Sequence, residues 1–365
     1  MKISVIIPTF NEVDNVEKLI SSISLAIKNF DFEIVFVDDD SPDGTADKVK
    51  TISKSNNRIR CIHRIGRKGL SSAVIEGALS CSSEFIAVMD GDLQHDESKL
   101  PLMINKIEKE KLDIVVASRF FEGGDANILS FHRKTASKIA NSISRLVTGV
   151  SLTDPMSGYF ITRKEIFENN AKNLYARGFK ILLDIFATSN AKLKFAEIGF
   201  KFKERNTGVS KMNASVAWEY VMLIWAKKFG WLIPARFFSF GLVGLSGLFV
   251  HIIFLHVSSN ILNINFIVSQ CIATFVAMTS NFFLNNFLTY LDYRITGLCK
   301  TLKGLMLFYL TCGIGTIANL GFAKGIYEGA FIVGEGEIML AGVAGAIIGA
   351  VWNFTLSCFV TWKVK

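Results

Sequence analysis

The chain has 365 residues, half of them hydrophobic, a formal net charge of +8 and a mean hydropathy of +0.37. That length allows about two domains, and the apolar content is high for a chain that lives wholly in water. The basic residues are not gathered on an aromatic-interleaved platform, which argues against a nucleic-acid binder. Six scattered cysteines without a C-x-x-C pair indicate neither a disulfide framework nor a zinc site.

From the N-terminus, "ISVIIP" reads as a buried strand and "EVDNVEKLISSISLAI" as a helix. "FEIVFVDD" and "RIRCIH" follow as strands and "GLSSAVIEGALS" as a helix. "EFIAVMD" is a fourth strand, "SKLPLMINKIEK" a helix and "LDIVVASR" a fifth strand. Continuous apolar strands alternating with helices predict an α/β fold with a mostly parallel, Rossmann-like sheet and right-handed crossovers. Ligands bind such sheets at the carboxyl ends of the strands. Pro8, Phe10 and Glu12 stand there after the first strand, Asp38, Asp39 and Asp40 after the second, Asp90 and Asp92 after the fourth, and Arg119 after the fifth. The chain opens directly on a strand rather than on a basic segment with an apolar run and a cleavage site, so this domain, residues 1–212, is expected in the cytoplasm.

"AVMDGDLQHD", residues 87–96, carries the sharpest chemistry. Along an extended chain Asp90, Asp92 and Gln94 would point the same way. Three oxygen ligands of this kind suit Mg²⁺ or Mn²⁺, which then shares its other positions with phosphate oxygens. An EF-hand starting at Asp90 fails, because His95 and Pro101 stand where that loop needs Gly and Glu. A solvated acidic turn remains the bland alternative. Several carboxylates in one crevice repel unless neutralised, and a metal with a nucleoside diphosphate resolves this: Asp or Glu bind the hydroxyls and base N–H groups. No P-loop is present. Glu12 also reads as a helix cap, Asp38 as structural, Asp40 as a turn residue, and His63, His95 and His132 as non-catalytic, since no second ligand completes a set.

Beyond residue 212 the composition changes. Residues 237–260, 261–291, 304–323 and 338–362 carry no Asp, Glu, Lys or Arg, and each is long enough for a hydrocarbon core of about 30 Å, which takes roughly 20 helical residues. Four transmembrane helices are predicted, at about 237–258, 264–291, 304–324 and 338–362. Lys227, Lys228 and Arg236 precede the first, Arg294, Lys300 and Lys303 lie between the second and third, and Lys363 and Lys365 follow the last. The positive-inside rule then places both chain ends and the middle loop in the cytoplasm. "NFFLNNFLTY" at 281–290 resembles "NFTLSCFVTW" at 353–362, which predicts two related helical hairpins. "GIGTIA" follows no strand and is not a dinucleotide fingerprint. Residues 213–236 mix Trp and aliphatic residues with Lys and Arg, as expected of helices in the membrane interface.

"VIIPTFNEVDNV", "VDDDSPDGT", "GLSSAVIEGAL", "VMDGDLQHD", "ASRFFEGG", "DPMSGYF" and "RNTGVSKM" together resemble family 2 glycosyltransferases of the GT-A fold, most closely the polyprenyl (dolichol) phosphate mannose synthase branch. The resemblance covers residues 1–212, and 237–365 resembles a GtrA-like membrane domain. It implies that Pro8, Phe10, Glu12, Val37 and Asp39 hold the nucleoside, and that Asp90, Gly91, Asp92 and Gln94 surround the metal and diphosphate. Arg119, Lys180, Arg205 and Lys211 would meet donor phosphates, while Arg119, Arg133 and Ser137 would bind the lipid phosphate. Asp92, Arg119 and Arg133 would carry catalysis. Phe10 stands where the family often has Tyr, and Gly91 where Ala is usual. The implied reaction is transfer of mannose from GDP-mannose to polyprenyl phosphate with inversion. The alternatives are a UDP-glucose or other UDP-hexose donor, or a lipid-linked sugar transporter with a nucleotide-sensing domain. The bland reading of Arg119, Arg133 and Arg205, apart from either alternative, is surface cations beside a membrane.

Overall fold

A computed structural model describes residues 2–122, 144–145, 148–189, 192–201, 203, 214–327 and 338–364, with the backbone alone at 214–216, 316–327 and 338–342. Two compact units result, Met1–Lys228 and Phe229–Lys365. Arg133, Ser137, Arg205, Lys211 and His132 lie outside the described residues.

In the first unit, strands β1 (Lys2–Thr9), β2 (Asp31–Asp38), β3 (Ile59–His63), β4 (Phe85–Val88), β5 (Ile114–Ser118), β6 (Phe160–Arg163) and β7 (Phe195–Gly199) form one sheet in the order β3-β2-β1-β4-β6-β5-β7. All pairings are parallel except those of β6, which runs antiparallel between β4 and β5. Helices α1 (Val16–Ala26), α2 (Thr45–Ser53), α3 (Leu70–Leu79), α4 (Leu100–Lys109), α5 (Lys164–Asn170) and α6 (Ile181–Thr188) accompany it.

Alternation along β1 builds both layers of the core. Ile3, Val5 and Ile7 join Leu19 and Ile23 of α1 and Met103 and Ile107 of α4. Ile6, on the opposite face, joins Ala73, Val74 and Ala78 of α3. Each buried aliphatic side chain of this size contributes about 1.5–3 kcal/mol. At Gly77 the α3 backbone itself meets the sheet, since a Cβ there would lie 2.7 Å from Ile6 Cγ2 and 2.9 Å from Val37 Cγ2. The chain leaves β1 toward β2 and β3, then returns to β4 on the other side of β1. Strand order therefore reverses between β1 and β4, and a crevice opens at their carboxyl ends.

Helix α7 (Ala214–Phe229) buries Tyr220 and Leu223 against Leu183 of α6, with Met156 and Tyr175 beside them. Lys227, expected as part of the basic membrane flank, instead reaches Asp184 Oδ1 at 2.6 Å, with side-chain exposures of 11% and 2%. Its ammonium also donates to the Asn173 carbonyl (2.9 Å) and Thr188 Oγ1 (2.6 Å). Removing one partner of such a buried pair strands the other, at a cost of about 3–5 kcal/mol. We therefore expect Lys227→Met to lower the denaturation midpoint of the first unit sharply. Lys227→Met with Asp184→Asn should recover most of the loss; equal midpoints for the single and double variants would mean the pair is not coupled.

The second unit contains α8 (Ala235–His256), α9 (Phe266–Leu284), α10 (Leu298–Tyr327) and α11 (Ile338–Leu356). Three segments among the described residues are long and apolar enough to cross a membrane: Ala235–Ile261, Phe266–Thr289 and Val343–Thr361. Only 17–22% of their apolar windows is buried, so the outward faces need hydrocarbon rather than water around them. The third expected span falls within α10, which is 30 residues long.

The predicted repeat has a structural counterpart. Helices α9 and α11 each run into a turn of π-helix, Asn285–Thr289 and Ser357–Thr361, at matching positions of the two related decapeptides. Tyr290 and Trp362, the last residue of each, stack with centroids 4.1 Å apart and planes at 8°. Trp362 Nε1 donates to Asn286 Oδ1 at 3.0 Å, and the Tyr290 hydroxyl meets Cys358 Sγ at 3.4 Å. Asn286 and Cys358 are themselves matching positions, so the contacts are reciprocal, as a two-fold relation requires. A Cβ at Gly247 would run into the Asn281 amide, and one at Gly315 into Asn353, the first residue of each decapeptide.

Candidate active site

The β2 end does not present three equivalent carboxylates. Asp38 is fully buried and accepts from Ser41 N (2.9 Å), Ser41 Oγ (2.6 Å) and Thr9 Oγ1 (3.1 Å), a structural role that ties β2 to β1. Asp39 accepts from Arg64 Nη1 at 2.7 Å and from the backbone N–H of Gly69 at 2.6 Å. Burial pushes its carboxyl above the usual range, and those two donors only partly offset this. Asp40 sits at φ 58°, the left-handed conformation of a turn residue. The Gly66 N–H, and after it His63, hold its carboxyl below the ordinary range. Asp38 and Asp40 thus take the structural and turn roles expected of them, and Asp39, the residue expected at the nucleoside, is oriented by Arg64 and the Gly69 N–H.

Around the β1 end, Lys68 Nζ lies 4.3 Å from the centroid of the Phe10 ring, a cation–π contact at the position where the family often has Tyr. The Glu12 carboxylate accepts from Asn15 Nδ2 at 2.6 Å, and its N–H donates to Thr45 Oγ1 at 3.0 Å. Val37 is fully buried and its side chain belongs to the core. Lys68, Arg64 and Gly69, which fix Phe10 and Asp39, were not singled out from the sequence; the run "HRIGRKG" carried no pattern that distinguished them from a basic loop.

β4 ends at Val88, so Asp90, Asp92 and Gln94 stand in a turn with Leu93 at φ 63°. This corrects the extended alternation expected for them. A Cβ at Gly91 would lie 3.1 Å from Thr9 Cγ2 and 3.5 Å from the Pro8 carbonyl. The D-x-D turn is thereby pressed against the end of β1, and the two halves of the crevice meet. Asp92 Oδ1 accepts from Gln94 N at 3.2 Å. Gln94 Nε2 donates to the Lys203 carbonyl at 3.2 Å, while Lys203 N donates to the Gln94 carbonyl at 3.0 Å. With the amide nitrogen so engaged, Gln94 Oε1 is the end left to act as a donor atom.

Among the described residues no cluster of three His, Cys, Asp or Glu side chains forms. The donors at the D-x-D turn are two carboxylates and an amide oxygen. This hard, all-oxygen set is short of a full shell and fits a Mg²⁺ or Mn²⁺ that takes its remaining ligands from water and phosphate.

At the β5 end Arg119 is held by Asp154 through two parallel bonds, Nε to Oδ2 at 2.8 Å and Nη2 to Oδ1 at 3.1 Å. Burial opposes the guanidinium charge, but the Asp154 carboxylate raises its pKa overall, and Asp90 adds to the effect. Glu197 of β7 underpins this pair by accepting from Thr153 N (3.0 Å) and Thr153 Oγ1 (2.7 Å). Lys180, beside the start of α6, feels Asp154, Arg119, Glu219 and Asp90, and burial brings its pKa below the ordinary lysine value. Asp90, Arg119 and Lys180 therefore share one electrostatic environment although they are far apart in sequence. Asp154 and Glu197 went unremarked in the sequence; "DPMSGYF" was read as a motif, and only the fold shows that its Asp orients Arg119.

Residues 4–170 match the family described as Glycosyl transferase family 2, and residues 239–362 match "GtrA/DPMS, transmembrane domain". The chain is 35% identical over 365 residues to the dolichol-phosphate mannosyltransferase of Pyrococcus furiosus, covering 99% of each chain. It is 30% identical over 230 residues to the dolichol-phosphate mannosyltransferase of Saccharomyces cerevisiae, covering 60% of this chain and 84% of that one. The polyprenol monophosphomannose synthase of Mycolicibacterium smegmatis is 30% identical over 217 residues, 58% of this chain and 81% of that one. Glucosyl-3-phosphoglycerate synthase from Mycobacterium tuberculosis, solved with Mn²⁺, uridine-diphosphate and phosphoglyceric acid, overlays with a TM-score of 0.47 and 16% identity over 62% of this chain and 78% of that one.

Proposed function

Because the chain belongs to the dolichol-phosphate mannosyltransferase family, with a family 2 glycosyltransferase domain and a GtrA/DPMS transmembrane domain, we propose that it transfers mannose from GDP-mannose to polyprenyl phosphate. The products are polyprenyl phosphate β-mannose and GDP. The observation that carries this reading is the contact of the D-x-D turn with the β1 end through Gly91, with Arg119 and Lys180 gathered toward Asp90. One crevice thus offers oxygen ligands on one side and cations on the other, which is what a nucleoside diphosphate sugar needs.

The acceptor phosphate is already anionic near neutral pH and needs no strong general base to attack the anomeric carbon. Departure of the nucleoside diphosphate is the harder half. When bound at Asp90, Asp92 and Gln94, the divalent cation supplies charge neutralisation to the leaving diphosphate. Arg119, fixed in plane by Asp154, and Lys180 add preorganised positive charge at no cost in reorganisation. Asp39 and Glu12 hold the nucleoside, with the Phe10 ring beside them. Arg205 and Lys211 complete the donor side, while Arg133 and Ser137 receive the lipid phosphate. Attack from the face opposite the leaving group inverts the anomeric centre. A product carrying β-mannose by its NMR couplings is expected from the α-linked donor; α-mannose would mean a two-step or front-face mechanism and would overturn this part of the reading.

The rest of the chain serves a lipid acceptor. Four spans, with both ends and the catalytic unit on the cytoplasmic side, satisfy the distribution of basic residues. Trp231 and Leu232, 83% and 63% exposed, suit a segment 213–236 at headgroup level, where the polyprenyl chain stays in lipid while its phosphate enters the crevice.

Lys180 gives the site a pH dependence. Its folded pKa is lowered by burial, so its charge is complete at low pH and is lost as pH rises, earlier than for an exposed lysine. Transfer should fall along an alkaline limb set by this group. Lys180→Arg, whose charge persists past pH ~12, should move that limb to higher pH even where it lowers the maximum rate. An unmoved limb would remove Lys180 from the reacting charges.

A further inference from the structure

His95 has every outward sign of a core residue, being 5% exposed and stacked on Tyr159 with centroids 5.0 Å apart and planes at 13°. Phe200 closes the ring's edge at 5.7 Å and 83°. Tyr159 is itself immobilised: it is fully buried, and its hydroxyl donates to the Asp96 carbonyl at 3.0 Å. Both imidazole nitrogens nevertheless face one residue. The backbone N–H of Asp90 donates to His95 Nδ1 at 3.1 Å, which leaves the ring proton on Nε2. Nε2 in turn lies 3.5 Å from Asp90 Oδ2. A Cβ at Gly158 would lie 3.0 Å from both Asp90 oxygens, so the Gly158 backbone is a wall against which the carboxylate rests.

We infer that His95 is a positioning residue for Asp90: Nδ1 fixes the backbone of the D-x-D turn, and the Nε2 proton, with the Gly158 wall, fixes the rotation of the carboxylate. The inference rests on the reading of Asp90 as a cation ligand. At 3.5 Å the Nε2 contact is longer than a formed hydrogen bond, so the ring acts on the carboxylate through the charge–dipole attraction of its N–H and leaves the lone pairs a cation needs. Partners that orient first-shell ligands typically control metal affinity by 10- to 100-fold. This accounts for a buried histidine beside an acidic pair without making it a ligand or a base.

The test is Mn²⁺ binding, followed by the electron paramagnetic resonance of the free ion, to the full-length protein in detergent with GDP present. Asp92→Ala serves as the control, and thermal midpoints are recorded alongside. His95→Phe keeps the stack on Tyr159 and removes both nitrogens; a midpoint near wild type with Mn²⁺ affinity about 10- to 100-fold weaker is expected. His95→Gln, which can still reach Oδ2 with a donor, should recover part of the affinity. Gly158→Ala, which pushes the carboxylate from its wall, should weaken Mn²⁺ in the same direction. If the wild type binds Mn²⁺, Asp92→Ala does not, and His95→Phe matches the wild type, the positioning role is overturned while the metal reading stands. If the wild type itself binds none, the metal reading fails first. Should His95→Phe not fold, the Gly158→Ala and His95→Gln affinities decide, and wild-type values in both overturn the inference.

Discussion

Asp92→Ala is expected to reduce mannosyl transfer by roughly 10³-fold or more while leaving the first unit folded. Among its described partners the carboxylate accepts the Gln94 N–H at 3.2 Å, and losing one such bond costs about 0.5–1.5 kcal/mol. The residue is only partly buried, so no core cavity opens. Removing the cation's hold on the diphosphate instead withdraws charge stabilisation from the transition state, where about 4 kcal/mol already amounts to 10³ in rate. Turnover, thermal midpoint and metal dependence measured together check this. Transfer within a few-fold of wild type, with the same metal requirement, would end the metal-site reading.

Arg119→Ala should be costly in two separable ways. Asp154, 2% exposed against 26% for Arg119, would be left as a buried charge without its bidentate partner, a destabilisation of about 3–5 kcal/mol. Transfer would also lose the guanidinium charge that Asp154 holds and whose field reaches Asp90. Asp154→Asn introduced into the same chain removes the stranded charge, so the double variant should regain most of its stability yet remain at least about 10-fold slower than wild type. A double variant that regains both stability and turnover would reduce Arg119 to a structural cation.

Much of the fold was legible because burial writes itself into sequence as uninterrupted apolar runs. β1, β2, β4 and β5 are of that kind, as are the long runs after residue 237, while α1, α3 and α4 showed helical spacing; α2, whose stretch "TADKVKTIS" carries few apolar residues, was not read. β6 was not legible: "FITR" is four residues long, too short to show a period, and nothing local announces that it inserts antiparallel between β4 and β5. At the site, residue types were readable and geometry was not. Asp90 and Asp92 stood out as candidates, but their turn depends on Leu93 adopting a left-handed conformation that its side chain gives no reason to expect. Asp38, Asp39 and Asp40 are adjacent in sequence but have separate partners: Ser41 of the following turn for Asp38, and Arg64 and His63, 25 and 23 residues away, for Asp39 and Asp40. His95 read as bland for the same reason, since only the fold brings Tyr159 and Phe200 around it. In the membrane unit the repeat was visible in the two decapeptides, whereas the π turns and the reciprocal packing of Tyr290 on Trp362 follow from tertiary fit.

The most direct test of the central claim is to incubate the purified full-length protein with polyprenyl phosphate and Mg²⁺ or Mn²⁺, supplying radiolabelled GDP-mannose and UDP-glucose in parallel, and to count label in the extracted lipid. Metal-dependent entry of mannose from GDP-mannose, with UDP-glucose near background, is the predicted result. Entry of glucose from UDP-glucose with none from GDP-mannose, or no lipid labelling from either donor by protein that still binds nucleotide, would contradict it.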